Sequence, residues 1–345
     1  MNKISPKLSI ILPTYNGNEF IQQSIESCLN QTYDNIELIV IDDCSTLNIR
    51  EVLRPYIHRI KYLRHEQNKG LSEALNTGFR SASGEYLTWT SDDNQYLPQA
   101  MEKMVAFLQT NNCEFVYSDF YTFINNKSYP KRVFIGIEKE HLKMGNFIGP
   151  CFLYSRKIKE AIGDYDSETA LAEDYDYWIR ISRKFLMRHI EEPLYLLRIH
   201  NTSLTVMNKD MVRIVTYLVM AKNNISSNQH IAELFIRFII AKRLKLIESL
   251  LIKVTDIVNF IFCNPKAISP SNRQWKNSVS TVKYIYKFVH RLTWLIIRAL
   301  GIIPKAIFYE KFISILTSFK SGELSFQEAK IRLKGLLNLN RSNTI

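Results

Sequence analysis

Asp42-Asp43, Asp92-Asp93 and Glu173-Asp174 are adjacent carboxylates placed at the end of an apolar run or the start of a helical one. Neighbouring like charges repel, which costs stability unless a cation or a donor group stands close by. Hard divalent ions such as Mg²⁺ and Mn²⁺ take carboxylates together with phosphate oxygens, so Asp92-Asp93 is a candidate metal pair. A solvated acidic turn with Asn94 as its cap is the other reading. Asp43 can accept a hydrogen bond from a nucleobase N–H or a ribose hydroxyl, or it can cap a turn or helix. Asp174, inside Ala172–Trp178 (AEDYDYW), can act as a general base. Alternatively it is an N-terminal charge favoured by the helix dipole.

The elements that must position these groups follow from the hydrophobic pattern. Leu8–Leu12 (LSIIL), Glu37–Ile41 (ELIVI), Ile60–Arg64, Gly84–Thr90 (GEYLTWT) and Phe115–Phe120 read as strands, short apolar runs closed by polar residues. Between them Glu19–Gln31, Ile49–Tyr56, Leu71–Ala82 and Pro98–Gln109 carry helical faces. Strand–helix alternation with short loops implies an α/β unit with a parallel sheet covered on both faces. Ligands of such sheets bind beyond the carboxyl ends of the strands. Pro13-Thr14-Tyr15-Asn16, Asp42-Asp43 and Asp92-Asp93 all fall there.

The ordered segments LSIILPTYNGN (8–18), SCLNQT (27–32), ELIVIDDCST (37–46), NKGLSEALN (68–76), GEYLTWTSDDNQYLP (84–98), GDYD (163–166), AEDYDYW (172–178) and Arg198-Ile199-His200 together resemble glycosyltransferase family 2, over about residues 7–205. The fifth segment looks most like the family's spore-coat polysaccharide branch. The resemblance implies a GT-A fold, a Rossmann-like nucleotide-diphospho-sugar transferase sheet, here with a C-terminal α-helical region. It implies that Pro13, Thr14 and Tyr15 line the base and ribose pocket and that Asp43 binds the base, usually uracil. Asp92 and Asp93 would hold a Mn²⁺ or Mg²⁺ ion on the donor's phosphates, with Asp92 also in the substrate pocket. His200 matches a position that approaches the metal or the diphosphate in some relatives, and Asp174 would be the general base of an inverting transfer. Many members carry Asp-x-Asp where this chain has Thr90-Ser91-Asp92. The missing carboxylate is expected to weaken metal affinity or change the ribose contact.

Charge divides the chain. Residues 1–205 hold 23 Lys+Arg and 26 Asp+Glu, a net of −3, and residues 206–345 hold the other 22 and 7, a net of +15. Strand signals end after His200, so the expected organisation is a catalytic domain over 1–205 and a basic amphipathic helical region over 206–345. In that region Phe235–Phe262 and Val279–Ile307 set apolar faces among Lys and Arg. Such helices suit an anionic membrane surface or a packed helical subdomain. No nucleic-acid motif is present. The five cysteines are odd in number and form no C-x-x-C pair, and the polar Met1–Lys7 runs directly into a strand. Reduced thiols, no signal peptide and a cytoplasmic location, peripheral on the membrane's inner face, are therefore expected. No charge-free apolar run reaches the ~18 residues of a spanning helix.

The expected partners are a nucleotide-diphosphate sugar, most simply a UDP-sugar, and a glycan or lipid-linked glycan acceptor in cell-surface polysaccharide or glycolipid synthesis. A sugar-nucleotide-forming nucleotidyltransferase is the alternative enzyme class. It would open with a Gly-rich, basic loop after the first strand, whereas Pro13–Asn18 has only Gly17 and no basic residue. A non-catalytic protein that kept the fold is the third class, supported by Thr90 alone.

Overall fold

The Ile-rich run after Lys7 becomes β1, Leu8–Thr14, buried at every position. This is a computed structural model that describes residues 5–17, 19–124, 131–133, 142–143, 145–235, 238 and 304–338. It divides into two units, Met1–Ile225 and Ser226–Ile345.

In the first unit β1 lies between β2 (Ile36–Asp42) and β4 (Tyr86–Trp89), parallel to both, and β3 (Ile60–Arg64) pairs outside β2. Helices α1 (Ile21–Leu29), α2 (Ile49–Leu53) and α3 (Leu71–Ser81) occupy the connections. The register sets Thr14 opposite Asp42, so β1 and β2 end level, while β4 stops at Trp89 opposite Ile11 and the turn that follows it continues toward Thr14. Helix α3 sits tightly on β1: a Cβ built on Gly78 would stand 2.3 Å from Ile11 Cγ2.

The sheet has nine strands in the order β3-β2-β1-β4-β8-β6-β9-β5, with β7 (Lys131–Val133) on β6. It is mixed, which corrects the expectation of a parallel sheet. β6 (Phe115–Ile124) follows α4 (Ala100–Asn111) and runs parallel to β4, as a helical crossover requires. β8 (Phe152–Ser155) then inserts between them, antiparallel to both. Its short apolar run carries no signal of direction. β9 (Met187–Ile199) lies parallel to β6, and β5 (Gln95–Tyr96) pairs antiparallel with β9 at the edge.

Aromatic side chains fill the core beside β8. Phe152 packs edge-on against Trp178 at 4.6 Å, and Tyr165 stacks on Tyr177 at 4.0 Å. Trp178 and Tyr177 belong to α6 (Glu173–Ser182), which follows α5 (Arg156–Ile162). After the short α7 (Leu204–Met207), α8 (Lys209–Lys222) buries Ile214, Val215 and Leu218. Asn223 Nδ2 then donates to the buried Asp176 Oδ1 on α6 at 2.8 Å. The strand pattern ends near His200, but this packing carries the first unit on to Ile225.

In the second unit the helices Pro304–Lys320 and Phe326–Asn338 pack on each other. Gly322, at φ +83°, turns the chain between them. Ser325 caps the second reciprocally: its N–H donates to Glu328 Oε2 at 2.8 Å, and Glu328 N–H donates to Ser325 Oγ at 3.2 Å. Most of Phe235–Phe262 and Val279–Ile307 lies outside the described residues. Among the described residues no helix is long and apolar enough to cross a membrane.

The α3–β1 contact leaves no room for a methyl group. Gly78→Ala is expected to lower unfolding free energy by about 1–2 kcal/mol, overpacking outweighing Ala's helix preference. A urea midpoint at or above that of the wild type would show that the helix can lift off the strand.

Candidate active site

Thr14 joins two of the three strand ends. Its carbonyl accepts the N–H of Asp43 at 2.9 Å, and its hydroxyl donates to Asp92 Oδ2 at 2.6 Å. Pro13 is buried within β1 and Tyr15 is 51% exposed just beyond it. The chain then turns sharply through Asn16 (φ 64°) and Gly17 (φ 44°). Asn16 fastens this loop to the next: its N–H donates to Ser45 Oγ at 2.7 Å, and its Oδ1 accepts from Thr46 N–H at 2.7 Å.

The adjacent Asp42 and Asp43 have separate roles. Asp42 is fully buried and accepts from Ser45 N–H, Tyr62 OH and Arg64. Burial alone would raise its carboxyl, but these donors hold it below its ordinary value. Asp43 is 4% exposed. Its Oδ1 accepts Lys69 N–H at 2.8 Å and lies 2.7 Å from His65 Nδ1, and its Oδ2 accepts Gly70 N–H at 2.7 Å. A carboxylate has about four acceptor positions, so these contacts leave room for one more donor. His65 was not singled out by sequence reasoning. It directly follows β3, whose Arg64 pairs with Asp42 in the sheet register, and that adjacency was the available signal.

Asp92, Asp93 and Asn94 form the turn after β4. Burial, then the charge of Asp93, pushes the Asp92 carboxyl up to about 6. Asp93 Oδ2 lies 2.8 Å from His200 Nε2, and the other ring nitrogen of His200 lies 2.7 Å from Thr202 Oγ1. Both nitrogens of His200 are thus engaged, and the structure places it as the partner of Asp93. Asp93 Oδ1 is buried and, among the described residues, has no hydrogen-bond partner. Among the described residues no three His, Cys, Asp or Glu side chains converge as a metal cage. A cation here would need donor oxygens from a ligand as well as from Asp92 and Asp93. Thr90 is 1% exposed and its hydroxyl lies 2.6 Å from Tyr195 OH, so this position is filled by a neutral pair inside the sheet.

Asp174 lies in the first turn of α6 and, among the described residues, makes no hydrogen bond to the strand-end cluster. Its Oδ2 accepts from Asn146 Nδ2 at 2.7 Å. Asn146 opens the NFIGPC segment of residues 146–151. Burial raises the carboxyls of both Asp174 and its neighbour Glu173, that of Glu173 to about 7. Glu173 Oε2 accepts the N–H of Leu171 at 2.7 Å, and Leu171 is held at φ +84°, a conformation costly for a branched side chain. Toward β4, Trp89 Nε1–H donates to Tyr165 OH at 3.2 Å.

Residues 9–163 match the family described as Glycosyl transferase family 2. RP339, an uncharacterized glycosyltransferase of Rickettsia prowazekii, is 33% identical over 221 residues, covering 60% of this chain and 69% of that protein. The chain spans about a third (35%) of the length of a similar uncharacterized glycosyltransferase of Rickettsia felis, at 31% identity. WfgD of Escherichia coli, a UDP-Glc:alpha-D-GlcNAc-diphosphoundecaprenol beta-1,3-glucosyltransferase, is 40% identical over 122 residues, 35% of this chain and 48% of WfgD. The crystal structure of S. aureus TarS 1–349 shares the fold, with a TM-score of 0.54 at 16% identity over 92% of each chain.

The raised carboxyl of Asp92 has a thermodynamic consequence. Between the ordinary value of 3.8 and about 6 the folded chain binds more protons than the unfolded one, so stability falls as pH rises through that window. Asp92→Asn keeps an acceptor for Thr14 and removes the charge. It should stabilise the ligand-free chain at pH 7–8 by up to ~3 kcal/mol, less where solvent screens the site. The gain should vanish below pH 4. Urea midpoints from pH 4 to 8 measure it, and a gain independent of pH would contradict the assignment.

Proposed function

Because the chain belongs to glycosyl transferase family 2, we propose that it moves a sugar, with inversion, from a UDP-sugar to an acceptor hydroxyl in cell-surface glycan synthesis. The observation that carries this reading is the buried, partnerless Asp93 Oδ1 beside the raised carboxyl of Asp92, at the carboxyl ends of parallel strands. A carboxylate oxygen buried without a donor is costly and fits a divalent cation, Mn²⁺ or Mg²⁺, completed by diphosphate oxygens. Asp92 and Asp93 would hold the ion, and when bound it would stabilise charge developing on the departing diphosphate. The one acceptor position left on Asp43 suits the imide N–H of uracil. Pro13, Thr14 and the exposed Tyr15 would wall the nucleoside. TarS has been crystallised with UDP and with UDP-GlcNAc, and the name of WfgD gives UDP-Glc as its donor. Both agree with a uridine donor here.

Asp174 takes the acceptor hydroxyl's proton as that oxygen forms its bond to the anomeric carbon. The bond from that carbon to the nucleotide's phosphate oxygen breaks on the opposite face, and its electron pair leaves with the diphosphate. Burial makes Asp174 a stronger base than an ordinary carboxylate, and the amide of Asn146 orients it. The acceptor class in the name of WfgD is a diphosphoundecaprenol-linked sugar. A lipid-linked acceptor would bring this chain to a membrane surface, which the +15 of residues 206–345 suits.

Two measurements test this. UDP with Mn²⁺ should raise the melting temperature, the stabilisation reaching about 2.7 kcal/mol at a hundredfold excess over Kd. Asp174→Asn should keep that shift while turnover falls by roughly a hundredfold or more. The donor assignment fails if no nucleoside diphosphate shifts melting, and turnover near wild type in the variant removes Asp174 from the chemistry. For the membrane, the full chain should co-sediment with anionic vesicles at low salt and be released as salt shortens the screening length below ~8 Å. Retention in the supernatant at low salt would leave the basic region without a lipid role.

A further inference from the structure

Arg198 is 2% exposed, an uncommon position for a guanidinium. Its guanidinium lies over two rings, with its central carbon 3.8 Å from the centroid of Phe20 and 4.5 Å from that of Phe123. Its Nε donates to the main-chain carbonyl of Asp93 at 3.0 Å, and its Nη2 donates to Gln23 Oε1 at 2.7 Å. Its own N–H donates to Asn94 Oδ1 at 2.8 Å. From the other side Ser24 Oγ donates to the Asn94 carbonyl at 2.5 Å. The Phe20 ring also meets the ring of His200, with centroids 5.6 Å apart, and His200 holds Asp93 Oδ2. The end of β9 and the start of α1 thus grip the Asp92–Asn94 turn through the carbonyls of Asp93 and Asn94 and through both their side chains. Among the described residues Asp93 Oδ1 stays buried with no hydrogen-bond partner.

We infer that Arg198 is a positioning residue: by pinning the Asp93 carbonyl between α1 and β9 it aims the free carboxylate oxygen at a cation and the diphosphate of the donor. This rests on the proposed donor reading. The role needs a planar cation with several fixed donors, able to stack on two rings while bonding at both ends. A lysine ammonium carries the charge but cannot span Asp93 and Gln23. Loss of such outer support typically costs about 10–100-fold in metal affinity, with the nucleoside pocket at Thr14 and Asp43 left intact.

The test is binding of two probes to the full chain by calorimetry, uridine alone and UDP with and without Mn²⁺, for wild type, Arg198→Lys and Gln23→Leu. In Arg198→Lys the Mn²⁺-dependent tightening of UDP should fall about tenfold or more, while uridine affinity and the ligand-free melting temperature stay near wild type. Gln23→Leu, which frees one end of the guanidinium and keeps its charge, should show a smaller loss of the same kind. It carries the test if the lysine variant does not fold. Unchanged Mn²⁺–UDP affinity in the folded variants overturns the inference and leaves the donor reading standing. An equal loss of uridine affinity or a large drop in melting temperature also overturns it, since general packing would then explain the clamp. If Mn²⁺ fails to tighten UDP on the wild type, the metal reading falls and this inference with it.

Discussion

A strand buried on both faces and paired along both edges can carry polar chemistry only at its ends. β1 meets that condition: all seven residues are buried, and β2 and β4 run parallel to it on either side. Parallel pairing sends the three carboxyl ends in one direction, and the turn after β4 carries Asp92 on to the level of Thr14. Thr14 can therefore touch both Asp43 and Asp92. Gly78 keeps α3 against the same strand, so the platform beneath the site has little freedom to move. The placement of the acidic turn, the loops that lock over it and the late strand that grips it follow from this one pairing.

The carboxylates gathered there differ in how their charge is balanced, and that difference separates structure from function. Asp42 is saturated by donors and held ionised. Asp43 is held by two main-chain N–H groups and lies against His65, with one acceptor position to spare. Burial and the charge of Asp93 outweigh the hydrogen bond from Thr14 to Asp92, and its carboxyl rises. Asp93 has one oxygen with no hydrogen-bond partner among the described residues. On α6, burial raises Glu173 and Asp174. Among the described carboxylates, the raised ones fall in two places, the turn after β4 and the first turn of α6.

Much of this frame was legible in the sequence. The apolar runs at 8–12, 37–41 and 60–64 became β1, β2 and β3 with little change in their ends, because a continuous buried run closed by polar residues has few alternative conformations. The family resemblance rests on the same strand ends. What could not be read was pairing across long stretches of chain. β8 slots in antiparallel because of where a long connection delivers it. The thirteen residues of β9 lack clean alternation, contain Pro193 and pair with β6 through register shifts near Asp119. Arg198, His65 and Asn146 gain their roles from partners far away in sequence, which no local pattern encodes.

The separation between the acidic turn and its holders sets an order on assembly during synthesis. β1 to β4, with Asp42, Asp43, Asp92 and Asp93, leave the ribosome early. The residues that grip the turn, Arg198 and His200, bond to Asp93 across separations of 105 and 107 residues. Contacts of such span carry a large loop-closure cost and form late. A nascent chain halted before β9 carries the acidic pair without its clamp. The final geometry of the acidic turn thus arrives only when β9 has been made and has folded back onto it.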